Sequence, residues 1–61
     1  MYQEFQGNNG LWGVQEEGHV VYDATFERKT AYVIADMYNS ENPPADWHET
    51  SERLKLIGLL G

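Results

Sequence analysis

The chain contains no cysteine. Disulfide staples and thiolate metal sites are thereby excluded, and a thiol-free chain fits a reducing cytoplasm. Long apolar runs are missing as well. The greasiest segment, Leu54 to Leu60, is interrupted by Lys55 and Gly58, whereas roughly 20 apolar residues are needed to span a bilayer. The N-terminus lacks a basic stretch followed by an apolar one, so no signal peptide is expected. Cations are scarce: four Lys and Arg stand against ten Asp and Glu, a formal net charge of −6. Nucleic acid is held by a basic surface that displaces counterions, and Arg28, Lys29, Arg53 and Lys55 form no larger cluster. Neither nucleic acid nor membrane is expected as a direct partner. A protein presenting basic surface is the easier electrostatic match. The expected location is the cytoplasm.

With 61 residues there is room for one small domain, 1–61, and a chain of this length buries only about 60% of the surface its unfolded form exposes. Such scaffolds usually lean on disulfides, metal or self-association. Aromatic residues offer another route: Tyr2, Phe5, Trp12, Tyr22, Phe26, Tyr32, Tyr38 and Trp47 can each bury roughly 150–250 Å².

Gly7-Asn8-Asn9-Gly10 carries the Asn-Gly pair that favours a type I′ hairpin turn. Tyr2 to Gln6 before it and Leu11 to Glu16 after it read as strands. Glu17-Gly18 is a second turn signal, and the β-branched and aromatic His19-Val20-Val21-Tyr22 a third strand. With a two-residue loop at Glu17-Gly18, Val14 faces Val21 and Gly13 faces Tyr22. Trp12, Val14 and Val21 then share one face, and Leu11, Val20, Tyr22 and Ala24 the other. Both faces are apolar, so the core face stays open. The period changes after Asp23. Thr25 is an N-cap candidate with Glu27 in the first turn. Phe26, Thr30, Val33, Ile34 and Met37 form a helical stripe edged by Ala31 and Tyr38. This predicts a helix over Thr25 to Ser40, stopped by Pro43-Pro44. Asp46 and Glu49 have capping-box spacing for a second helix, in which Trp47, Leu54 and Ile57 continue an apolar stripe and Gly58 ends or weakens it. The expected fold is α+β: a three-stranded antiparallel meander followed by two helices packed on the sheet, β-β-β-α-α.

Little here points to catalysis. His48-Glu49-Thr50-Ser51-Glu52 lacks the second histidine of a His-Glu-x-x-His zinc helix, even with His19 brought in from the sheet, and Glu49 reads as a cap partner. Ser40 and Ser51 lie near helix ends, where serine satisfies backbone groups. Gly7, Gly10 and Gly13 lie in a hairpin rather than at the strand-to-helix junction of a phosphate loop. No catalytic, cofactor or metal residue is assigned, and no enzyme activity is expected from a chain this small.

Phe5-Gln6-Gly7-Asn8-Asn9-Gly10-Leu11-Trp12 and Ala31-Tyr32-Val33-Ile34-Ala35-Asp36-Met37-Tyr38-Asn39 together form a strand pair and a helix of the form Ala-x-x-Ile-Ala-Asp-x-x-Asn. Over residues 5–39 this resembles small accessory proteins of temperate enterobacterial, lambda-like phages. The resemblance implies a non-enzymatic protein that modulates a host or phage protein by direct contact, in the host cytoplasm. It transfers no functional residue, because the shared pattern is structural.

The residues themselves suggest where contact occurs. The exposed side of the first helix (Arg28, Tyr32, Asp36) and the hairpin tip (Glu16, Glu17) are the expected protein-binding surface. The C-terminal Leu56, Ile57, Leu59 and Leu60 either form a homodimer interface or pack with Leu54 beneath Trp47 and the sheet. Two rival functions remain open. The carboxylates Glu16, Glu17, Asp36, Glu41, Asp46, Glu49 and Glu52 could mimic nucleic-acid phosphates and inhibit a DNA- or RNA-handling enzyme. Alternatively, the chain is a structural homo-oligomerisation module.

Overall fold

Turn chemistry organises the N-terminal half. A computed structural model, describing residues 1–60, shows three antiparallel strands in the order β1-β2-β3 and then two helices. They are β1 (Tyr2–Gln6), β2 (Trp12–Glu16), β3 (His19–Phe26), α1 (Arg28–Asn39) and α2 (Trp47–Leu56). The fold is therefore α+β with the β-β-β-α-α order.

The first turn departs from expectation, and the second is the two-residue loop expected at Glu17-Gly18. In the first, the Gly10 amide donates to the Gly7 carbonyl at 3.1 Å. Both asparagines keep negative φ, and only Gly10 is left-handed, at φ 86°. This is the three-residue loop in which a left-handed glycine follows the turn, rather than a type I′ turn. The second, Glu17-Gly18, carries the type I′ signature of positive φ at both central residues, 49° and 85°.

Strand β3 departs most from expectation. The pairs Glu16–His19 and Gln15–Val20 follow the tight turn, but the register then shifts, so that Val14 faces Tyr22 and Trp12 faces Phe26. Val14 thus pairs with Tyr22 rather than Val21, because β3 accommodates extra residues in bulges. Gly13 permits this close passage. A Cβ there would lie 2.4 Å from the Tyr22 carbonyl oxygen. Opposed residues share a face, so Trp12, Val14, Tyr22 and Phe26 point together toward the helices. Leu11, Val20 and Val21 are left exposed.

The bulged strand also continues through Thr25 and Phe26. Consequently α1 begins at Arg28, not Thr25, with Glu27 as an N-cap whose side chain makes no capping bond. The buried stripe of α1 is Thr30, Ala31, Ile34 and Ala35. It is centred on the small alanines that let the helix approach the sheet, whereas Val33 and Met37 are only half-buried. Val14, Ala31, Ile34, Ala35 and Leu54 form the core, one apolar contribution from β2, three from α1 and one from α2.

Local chemistry delimits α2 well. The Asp46 carboxylate accepts the Glu49 amide at 3.1 Å, and the Glu49 carboxylate accepts the Ala45 amide at 3.2 Å. Asp46 is thus the expected cap, although the return bond reaches Ala45 rather than Asp46 itself. At the other end Gly58 is left-handed, φ 81°. Its amide donates to the Lys55 carbonyl at 3.1 Å, and the Leu59 amide to the Leu54 carbonyl at 2.9 Å. This is a Schellman closure, and it turns Leu59 and Leu60 back against the core. Ile57 leaves the apolar stripe and is exposed.

Candidate interaction surfaces

Both helices cover the Val14 side of the sheet. α1 lies over β1 and β2. α2 reaches β3 through Trp47, whose ring meets Tyr22 at 5.3 Å and Phe26 at 5.9 Å between centroids. Between these elements, three hydroxyls converge. The Tyr22 and Tyr38 hydroxyls bond each other directly, and Tyr38 also bonds the Thr50 hydroxyl at 3.0 Å. Thr50, fully buried, donates onward to the Asp46 carbonyl at 2.9 Å. The cluster joins β3, α1 and α2 through side chains whose polar ends all find partners. Burial, reinforced by the Tyr38 hydroxyl, pushes the Tyr22 phenol up to about 12, although its bond to Thr50 acts the other way. The three groups satisfy one another and cross-link the elements that carry them.

The expected contact residues occupy two separate places. Arg28, Tyr32 and Asp36 are spaced by four along the exposed side of α1. Tyr32 is 57% exposed. The Arg28 guanidinium sits 4.9 Å from the Trp12 ring centroid, a cation–π placement that ties this end of the row to the sheet. Glu16 and Glu17 lie at the hairpin tip, each with a carboxylate oxygen 3.8 Å from the Met1 amino group. Among the described residues no hydrogen bond or ion pair links the helical row to the tip.

The C-terminal leucines divide. Leu54 is fully buried, and Leu59 and Leu60 pack on the core. Leu56 is 86% exposed and Ile57 is exposed beside it. The carboxylates at the start of α2 are partly engaged inside the chain: Asp46 and Glu49 accept backbone amides, and Glu49 also lies 3.8 Å from Arg53. Arg53 in turn donates to the Asn42 carbonyl at 2.8 Å, holding the connection between the helices. The Ser51 hydroxyl donates to the His48 carbonyl.

The outer edge of β3 is a surface that residue-by-residue reading of the sequence passed over. His19, Val20, Val21, Asp23 and Thr25 are all exposed there. One signal was legible: the last strand of a three-stranded meander is always an edge. No pocket is found among the described residues. No helix among them is long and apolar enough to cross a membrane. Set against family models, curated proteins and solved structures, the chain matches none of them.

Proposed function

We infer that the chain is a non-enzymatic accessory protein, of the kind found in temperate enterobacterial, lambda-like phages, that modulates a host or phage protein by direct binding in the host cytoplasm. The observation that carries this reading is Tyr32: a large aromatic side chain, 57% exposed, centred between Arg28 and Asp36 on the free side of α1. Tyr and Arg are enriched among residues that dominate binding energy, because each pairs apolar area with polar groups. The acidic tip at Glu16 and Glu17 favours a partner with basic surface.

The test replaces Tyr32 with a photo-crosslinking phenylalanine derivative and compares infected with uninfected host lysate. One protein crosslinked from this position and lost with Arg28→Ala supports the reading. Crosslinks no more frequent than from a derivative placed at Lys55 count against it.

A second reading, homo-oligomerisation through Leu56 and Ile57, is favoured by the exposure of these two side chains on the last turn of α2 and at its C-cap. Phosphate mimicry draws less support, because Asp46 and Glu49 are bonded to backbone amides of their own chain.

A further inference from the structure

The two edges of the sheet are finished differently. On β1, the Asn39 side-chain amide bonds both main-chain groups of Tyr2, so that end of the edge already has a partner. On β3, among the described residues, the side-chain bonds to the main chain are those from Asn9 to the Ala24 carbonyl and from Thr25 to the Asp23 carbonyl. Neither covers the stretch next to the turn. Residues flanking a two-residue loop bond inward, here Glu16 with His19. At the next pair, Gln15 with Val20, the N–H and C=O groups therefore point away from the partner strand. Val20 is 58% exposed, with Val21 exposed beside it. Outward main-chain groups flanked by apolar side chains offer a template for an added strand.

Charge selects the occupant. Exposed carboxylates stand at Glu17, Asp23 and Glu27, and no Lys or Arg lies between Gly18 and Glu27. We propose that the β3 edge takes an extended basic segment of a partner protein as a fourth strand. The main chain pairs at Val20, β-branched side chains of the segment lie beside Val20 and Val21, and its Lys or Arg residues meet the flanking carboxylates. The register shifts begin beyond Val20, so His19 and Val20, next to the turn, form the part that pairs. A second copy of this chain is the poorer occupant, because it brings a charge of −6 and the same carboxylates to the same edge. The proposal rests on the protein-binding reading but uses a surface apart from Tyr32.

The test titrates the isotope-labelled full chain with a peptide of about nine residues, within the usual strand length, alternating Val or Thr with Lys or Arg. Two controls are a peptide with Glu at every Lys or Arg position and one with alternate backbone amides methylated. The basic peptide is expected to slow amide exchange at Val20 at least about tenfold, and both controls to leave it unchanged. Asp23→Lys combined with Glu27→Lys lowers the affinity at least about fivefold, and Tyr32→Ala leaves it unaltered. Absence of protection at Val20 at millimolar basic peptide overturns the proposal, as does equal protection by the acidic peptide. A concentration-dependent dimer of the chain alone, protected at Val20, also overturns it and assigns the edge to a second copy. Partner crosslinking at Tyr32 without Val20 protection upholds the function proposed above and rejects this edge.

Discussion

The side chain of Asn39, the last residue of α1, clasps the main chain of Tyr2, the first residue of β1: its carbonyl oxygen accepts the Tyr2 amide at 2.8 Å and its amide donates to the Tyr2 carbonyl at 2.9 Å. This single residue takes the place of a neighbouring strand at one end of the sheet. Asn39→Ala is expected to destabilise the fold by about 1–2 kcal/mol, the sum of two modest hydrogen bonds. Asn39→Asp keeps the acceptor and loses the donor, so its urea midpoint should fall between wild type and the alanine variant. Equal midpoints for all three would deny the clasp any stabilising role.

Gly13 and Gly18 are glycines for different reasons, and substitution separates them. A Cβ at Gly13 meets backbone, the Tyr22 carbonyl oxygen at 2.4 Å, and backbone cannot swing aside. Gly13→Ala should destabilise by about 3 kcal/mol or prevent folding. Gly18 has open space but φ of 85°, so Gly18→Ala should cost only about 1–2 kcal/mol. Chemical denaturation of both variants checks the order.

The hydroxyl cluster has a pH signature. Tyr22 is held neutral up to about 12 by burial and then by the Tyr38 hydroxyl, whereas an unfolded tyrosine ionises near about 10. Between these values the unfolded chain releases a proton that the folded chain retains. The stabilisation is therefore complete below pH 10 and lost as pH rises toward 12. Burial and then the Glu16 carboxylate raise Tyr2 as well, so tyrosinate absorbance should show a late-titrating component that is diminished in Tyr22→Phe. Stability of the wild type should decline across the same window more steeply than that of the variant. Coincident titration curves for the two proteins would rule this out.

Leu54 and Leu56 stand two residues apart and should behave oppositely. Leu54 is fully buried, and Leu54→Ala is expected to lose about 2–5 kcal/mol. Leu56 is almost wholly exposed, and Leu56→Lys should leave the monomer's stability within about 0.5 kcal/mol. If Leu56 and Ile57 form a dimer seam, Leu56→Lys also lowers the mass seen by light scattering at high micromolar concentration. A wild-type monomer under those conditions eliminates the seam.

Local chemistry by itself determined the strand count, the second turn and the acidic cap of α2, and it offered closure at Gly58 as one of two outcomes. Each rests on residues within a few positions of one another, such as Asp46 with Glu49 or Glu17 with Gly18. The exposure of Tyr32, Asp36 and Glu17 was likewise legible from their positions outside the apolar stripes. Tertiary structure decided what short-range patterns leave degenerate. Thr25 and Phe26 fit a helix start as well as a strand end, and the bulges opposite Gly13, which hold them in β3 and pair Val14 with Tyr22, depend on backbone from two strands meeting closely. The same long-range packing chose the core face, drew Ala35 into it, and left Val20 on an open edge while Asn39 closed the other. Alternation in a strand specifies that two faces exist. Only the helices that cover one of them specify which is buried.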